Sequence, residues 1–176
     1  MATLTPNTPS NAGEAARHPD TPVGLCFVEL LHAVAWHLFA QDRLVRSGDD
    51  HMRSDDLHTE VEETRATMLA VLARITGMTA GSDIDVPLMR MALLLATLVR
   101  EDSAEAFRRY FEREEAFAEY LAVPGNDRQA ARVRHMIEAG HKRIRFMARL
   151  ARSREETRAS RETADAVRHL EPAFAA

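Results

Sequence analysis

The stretch VGLCFVELLHAVAWHLFA, residues 23–40, is apolar on nearly every side when it is drawn as a helix. A helix at the surface of a soluble bundle has one apolar stripe and a polar back. A helix that is apolar all round is therefore expected to contact protein on two faces. The stretch PLMRMALLLATLV, residues 87–99, has the same character. The sequence thus predicts two deeply buried helices, the first of which has a face that the core does not need.

Helical spacing of apolar residues continues over residues 57–76 and 127–152, and no segment alternates like a β-strand. Thr21, followed by Pro22, is expected to cap the first helix. Asp127, after the Pro-Gly-Asn turn at residues 124–126, is expected to cap the last one. The segment that starts near Asp85 is predicted either as one helix of some 35 residues or as two helices. In the second case they would meet at residues 101–102, where Asp102 and Glu105 have the spacing of a capping box.

These patterns predict an all-α protein, an up-and-down bundle of four to five helices over residues 22–152. Residues 1–21 are rich in Thr, Pro, Asn and Ala without periodicity, and they are predicted to be a disordered tail. Residues 153–176 contain SREETRASRETAD, which has no apolar seam. This last part is predicted to be a solvated helical extension and tail.

Composition excludes several classes of protein. The chain has 176 residues, the size of one domain, and a net charge of −4, so nucleic acid is not expected as its main partner. The single cysteine, Cys26, excludes an internal disulfide framework. The apolar run carries Glu29, His32 and His37, and the N-terminus lacks a signal-peptide pattern, so we expect no membrane span and a cytoplasmic protein. Abundant arginine and alanine with one lysine, Lys142, indicate a bacterial source.

The first helix carries the candidate interface. On a helical wheel its core stripe is expected to consist of Phe27, Leu31, Val34, Leu38 and Val45. The opposite side carries, beside Glu29 and Arg43, the residues Leu25, Val28, His32, Trp36 and Phe39. Either this second face packs beneath the helix at residues 87–99, or it contacts a protein partner or a second copy of the chain. Aromatic residues mixed with a few polar ones are typical of interface centres.

A metal site is the alternative hypothesis. Two Glu-x-x-His elements occur, Glu29–His32 in the first helix and Glu138–His141 in the last. Ferritin-like di-iron bundles use two such elements with further glutamates, all directed inward, and would bind iron or another divalent metal. Glu138 lies on the polar side of its helix, which argues against this arrangement.

A second alternative is a small-molecule sensor, with a pocket between the first and third helices and His32, His37 or Arg90 as buried polar contacts. Neither a glycine-rich phosphate loop nor a nucleophile elbow occurs, and we assign no catalytic residue. The leading hypothesis is a non-enzymatic binding or regulatory protein that acts through protein–protein contact, self-associates and needs no cofactor.

Overall fold

The computed structural model describes the backbone of residues 21–47 and 51–170 and the side chains of residues 21–47 and 55–163. Over these residues the chain is all-helical, which confirms the predicted class, and it has six helices where four to five were predicted. They are α1 (Pro22–Ser47), α2 (His51–Thr76), α3 (Asp85–Glu101), α4 (Ala104–Glu112), α5 (Glu114–Tyr120) and α6 (Arg128–Leu170). The tail predicted to be disordered lies, up to residue 20, outside the described residues.

The start of α1 is fixed by a buried carboxylate. The Thr21 hydroxyl accepts a hydrogen bond from the Gly24 amide at 3.0 Å, the N-cap that the sequence predicts. The same hydroxyl donates to Oδ1 of Asp85 at 2.6 Å, and Asp85 is only 1% exposed. Oδ2 of Asp85 accepts from the amides of Gly81 and Ser82. Asp85 therefore joins the start of α1, the loop before α3 and the first turn of α3.

The segment after α3 corrects a prediction about capping. The chain does break after Glu101, but the N-cap of α4 is Ser103, whose hydroxyl accepts from the Ala106 amide at 3.2 Å. Asp102 instead ends α3 in the left-handed conformation, with φ 39°. An N-cap needs an extended backbone, which Ser103 has and Asp102 lacks. The carboxylate of Asp102 is paired with Arg154 of α6 at 2.5 Å.

Two ion pairs show that α1 and α2 are antiparallel neighbours. Arg43 near the end of α1 pairs with Glu60 near the start of α2 at 2.6 Å. Glu29 near the start of α1 pairs with Arg74 near the end of α2. Both pairs are exposed at the surface, where an ion pair contributes about 0–1 kcal/mol to stability. They place one negative and one positive side chain beside each other near both ends of the α1–α2 seam, the line along which the two helices meet.

Helices α3 and α6 run in the same direction against the inner side of α1. A Cβ atom on Gly140 of α6 would lie 3.1 Å from the side chain of Met91 in α3, so the two helices approach closely there. Further along, Arg154 of α6 reaches Asp102 at the end of α3. Helices α4 and α5 lead the chain back, and Glu114 at the start of α5 pairs with Arg145 of α6 at 2.9 Å.

The core stripe predicted for α1 is buried except at its end. Four of its members are at most 8% exposed, namely Phe27, Leu31, Val34 and Leu38. Val45 is 38% exposed, so its assignment to the core is wrong. The last buried residue of α1 is Gln41, and the turn beyond it extends past the packed layer. In α6 the side chains from Glu155 to Thr163 are likewise exposed, although the helix itself continues to Leu170.

By length and composition α1 could cross a membrane, and among the described helices it alone passes that test. Its most apolar 18-residue window has a mean hydropathy of 1.7, and 61% of that window is buried inside the fold. The central helix of a water-soluble bundle has the same composition, because neighbouring helices cover it on several sides.

Candidate interaction surface on α1

The face of α1 opposite the core is an exposed apolar strip. Trp36, Leu25 and Phe39 are 67%, 55% and 53% exposed, His32 is exposed, and Val28 is partly buried. These five residues are hereafter the α1 patch. The interpretation in which this face packs beneath the helix at residues 87–99 is wrong, because α3 contacts the buried side of α1. Helices α2, α3 and α6 all contact α1, and together they leave this one strip uncovered.

Aromatic contacts hold the centre of the α1 patch in place. The rings of Trp36 and Phe39 meet edge to face, with centroids 6.5 Å apart. The guanidinium of Arg43 lies over the Phe39 ring, 5.9 Å from its centroid. Because this guanidinium is also bonded to Glu60 of α2, the orientation of Phe39 is tied to the neighbouring helix. The patch therefore presents its aromatic rings in a defined arrangement.

A surface cavity of about 290 Å³ lies beside Trp36, between α1 and α2. Its lining is formed by Ala33, Trp36, Glu63, Thr64 and Thr67. Apart from the indole and one carboxylate, these side chains are small, which leaves room for an inserted group the size of an aromatic ring. The helical wheel of α1 alone does not reveal this cavity, because three of its five lining residues come from α2.

The structure does not bring the four candidate metal ligands into one site. Glu29 and His32 lie on the outer side of α1, where Glu29 is paired with Arg74. Glu138 is exposed on α6, with its carboxylate 3.8 Å from Lys142. Among the residues with described side chains, no group of three or more His, Cys, Asp or Glu is placed to hold a metal ion. A di-iron centre needs inward-facing carboxylates, and this geometry does not supply them.

His141, the fourth candidate ligand, is part of a contact between α4 and α6. The Tyr110 hydroxyl and Nδ1 of His141 share a hydrogen bond of 2.5 Å. Burial raises the pKa of Tyr110 to about 12 and lowers the pKa of His141. At neutral pH the phenol is therefore protonated and the imidazole neutral, so the Tyr110 hydroxyl can donate to Nδ1 of His141. Tyr110 also stacks on Phe117 of α5, with centroids 5.2 Å apart.

His37 is a buried histidine on the core side of α1, only 5% exposed. The amide nitrogen of Gln41 donates to its Nε2 at 3.0 Å, which leaves Nδ1–H to donate to the Thr64 hydroxyl of α2 at 3.3 Å. This pattern fits the neutral imidazole. Burial, with a smaller contribution from Arg65, lowers the pKa of His37.

The predicted small-molecule pocket between α1 and α3 is nearly closed. The gap beside His37, bordered also by Val99 and Asp102, holds about 10 Å³, whereas ligand sites usually measure about 300–1,000 Å³. The other two predicted contacts lie elsewhere. His32 is exposed, and Arg90 donates to the Tyr120 carbonyl at 2.8 Å while its guanidinium covers the Tyr120 ring.

The lowered pKa of His37 predicts that stability falls in mild acid. The unfolded chain binds the proton with the ordinary histidine pKa of about 6.5, above that of the folded state. The contribution of His37 to the free energy of unfolding is therefore complete above about pH 6.5 and decreases as the pH falls below it.

We expect the urea midpoint of the wild-type protein to drop between pH 7.5 and pH 5.5, and to drop less in His37→Gln. Exposed His135 on α6 supplies the control, since His135→Gln should keep the wild-type slope. Equal slopes in all three proteins would contradict the assignment.

Comparison with known proteins finds no match for the chain. No family model matches the chain, and neither a curated protein nor a solved structure is similar to it. The function therefore has to be inferred from the geometry of the α1 patch and its surroundings.

Proposed function

We propose that this protein is a non-enzymatic binding or regulatory protein that acts by protein–protein contact through the α1 patch, and that a second copy of the chain is its partner. The observation that carries the proposal is the 67% exposure of Trp36 at the centre of an apolar strip. Tryptophan is the residue type most enriched among those that dominate binding energy at interfaces. An exposed apolar strip of this kind on a folded domain is typical of an interaction site.

The dimensions of the face suit a dimer of ordinary size. Helix α1 has 26 residues, which corresponds to a length of about 39 Å at 1.5 Å per residue. With the flank of α2 beside it, the face is about 20 Å wide, since each helix is about 10 Å across. The resulting area of about 800 Å² matches what each partner buries in a standard stable interface.

The packing behind the α1 patch supports its use as a rigid surface. Phe27, Leu30 and Val34 lie on the inner side of the same helix and are fully buried. We infer that the helices form an up-and-down bundle in which α4 and α5 together act as one member. A patch displayed on the central helix of such a bundle binds with little loss of conformational entropy.

The buried polar side chains of the described part support a non-enzymatic role. Asp85, His37 and Gln41 are each engaged in hydrogen bonds within the fold, as is the Tyr110–His141 pair. The gap beside His37 and Gln41 holds about 10 Å³. Tyr110 lines a surface cavity of about 410 Å³, but its hydroxyl is engaged with His141. A cytoplasmic location and the lack of a bound cofactor belong to the same proposal.

Trp36→Ala is expected to abolish self-association. Removing a central interface tryptophan commonly weakens binding by 2 kcal/mol or more, which is about thirtyfold or greater in Kd. Sedimentation equilibrium over a concentration series measures the effect directly. Trp36 is also the only tryptophan of the chain, so its fluorescence emission should shift to shorter wavelength as the wild-type concentration rises. Leu93→Ala is the matched control, because Leu93 is 50% exposed on α3, away from the patch.

Two results would overturn the proposal. One is a wild-type protein that stays monomeric, with unchanged Trp36 emission, up to about 100 μM, well above the Kd of ordinary specific interfaces. The other is an emission shift that occurs only with phospholipid vesicles, which would make the α1 patch a membrane-contact surface instead.

A further inference from the structure

We propose that two copies of the chain associate with α1 packed antiparallel on α1 about a two-fold axis at Trp36, and that Glu29 of each copy pairs with Arg43 of the other. This inference rests on the proposed function, since it names the arrangement of the self-association. It is argued from the exposed residues of the α1 patch and from the charges of Glu29 and Arg43 beside them.

The charges along the α1–α2 seam are placed symmetrically around Trp36. Glu29 and Arg43 each lie seven residues from Trp36, which is two helical turns and about 10.5 Å in either direction. On α2, Glu60 and Arg74 each lie seven residues from Thr67, which lines the cavity beside Trp36. Because Glu29 is paired with Arg74 and Arg43 with Glu60, the four groups form a rectangle of alternating sign.

A two-fold axis that crosses α1 at Trp36 makes the charges of α1 complementary to those of its own copy. Glu29 then faces Arg43 of the second copy, and Arg43 faces Glu29 of the second copy, while the two α2 helices lie on opposite sides of the contact. A parallel packing of α1 on α1 would instead place Glu29 against Glu29 and Arg43 against Arg43, which is repulsive. Isologous two-fold contacts are also the commonest form of self-association.

The apolar groups fit the same arrangement. Phe39 lies three residues after Trp36 and Ala33 lies three residues before it, so the axis places Phe39 of one copy opposite Ala33 of the other. Ala33 lines the cavity of about 290 Å³ between α1 and α2. The exposed Phe39 ring therefore enters the cavity of the second copy, and the two Trp36 rings meet at the axis.

Charge reversal at one position in each of two separate proteins tests this register. In Glu29→Arg homodimers, arginine faces arginine at both ends, and in Arg43→Glu homodimers, glutamate faces glutamate. We expect each variant alone to self-associate about tenfold or more weakly than wild type. An equimolar mixture should recover to within about threefold of wild type, since both contacts of the mixed dimer join opposite charges. Sedimentation equilibrium and Trp36 emission measure both effects.

The mixture distinguishes this register from the others. If α1 packed on α2 of the second copy, each reversed charge would face an unchanged residue, Arg74 or Glu60, in the variant homodimer and in the mixed dimer alike, and mixing would restore nothing. If α1 packed parallel on α1, neither variant alone would be weaker than wild type. Either result would overturn the register while the loss of association in Trp36→Ala still supported the proposed function. Glu62→Arg changes the same charge at an exposed position of α2 off this seam and should leave association unchanged.

Discussion

Phe27→Ala is expected to lower the free energy of unfolding by about 3–5 kcal/mol, whereas Phe39→Ala should change it by less than about 0.5 kcal/mol. The two positions carry the same residue on the same helix, twelve residues apart. Phe27 is 0% exposed within the core, and Phe39 is 53% exposed on the α1 patch. Truncation of Phe27 leaves a cavity that rigid neighbours fill only in part, while truncation of Phe39 removes surface that water already contacts.

Urea unfolding of both variants measures this difference, at a protein concentration low enough that association does not add to stability. Phe39→Ala should in turn weaken self-association, so the two variants separate the core role of α1 from its surface role. A loss of several kcal/mol in Phe39→Ala at low concentration would contradict the position of that ring at the surface. A loss below about 1 kcal/mol in Phe27→Ala would contradict its burial.

Asp85→Ala is expected to destabilise the fold by about 3–5 kcal/mol, although no charged side chain among those that the structure describes contacts the carboxylate. Its two oxygens accept from the Thr21 hydroxyl and from the amides of Gly81 and Ser82. A fully buried donor left without an acceptor costs about 1–3 kcal/mol. These three donors are only partly buried, so each is expected at the lower end of that range. The carboxylate also lies near the first turns of α1 and α3, where the helix dipoles favour a negative charge. We expect Asp85→Asn to lose less free energy of unfolding than Asp85→Ala, because asparagine retains one acceptor oxygen.

Asp83→Ala provides the matched control for Asp85, since Asp83 is exposed on the same loop. It should change the unfolding free energy by less than about 0.5 kcal/mol. Amide hydrogen exchange adds a local measurement, because the Gly81 and Ser82 amides should lose protection in Asp85→Ala. Equal stability of the Asp83 and Asp85 variants would show that the network linking α1 to α3 contributes nothing.

Helix α1 explains why an apolar sequence of this length does not by itself specify a membrane span. Its inner side is covered by three helices, and its outer side keeps Trp36, Leu25 and Phe39 at the surface. The buried and the exposed residues of α1 lie on opposite sides of the helix, and Glu29 and Arg43 lie toward the two ends of the exposed strip. A second copy bound there would place protein on both sides of α1, which accounts for a sequence that is apolar all round.

The sequence by itself determined the features that depend on residues three or four positions apart. These are the all-helical class, the caps at Thr21 and Asp127, and the division of α1 into a core stripe and a second apolar side. Such features follow from local backbone chemistry and from the 3.6-residue period of a helix. Local sequence features did not decide whether Asp102 or Ser103 caps α4, because that depends on which of the two residues leaves the helical conformation.

Only the tertiary structure decided the features that join residues distant in the chain. Asp85 meets Thr21 across 64 residues, His37 meets Thr64 across 27, and Arg74 meets Glu29 across 45. Helical periodicity states which side of a helix is apolar, but it does not state which helix lies beside it or in what register. The sequence therefore predicted a second apolar side of α1 around Trp36, while the tertiary structure left that side exposed and the packing of α2 against α1 supplied its cavity and the charges that pair with Glu29 and Arg43.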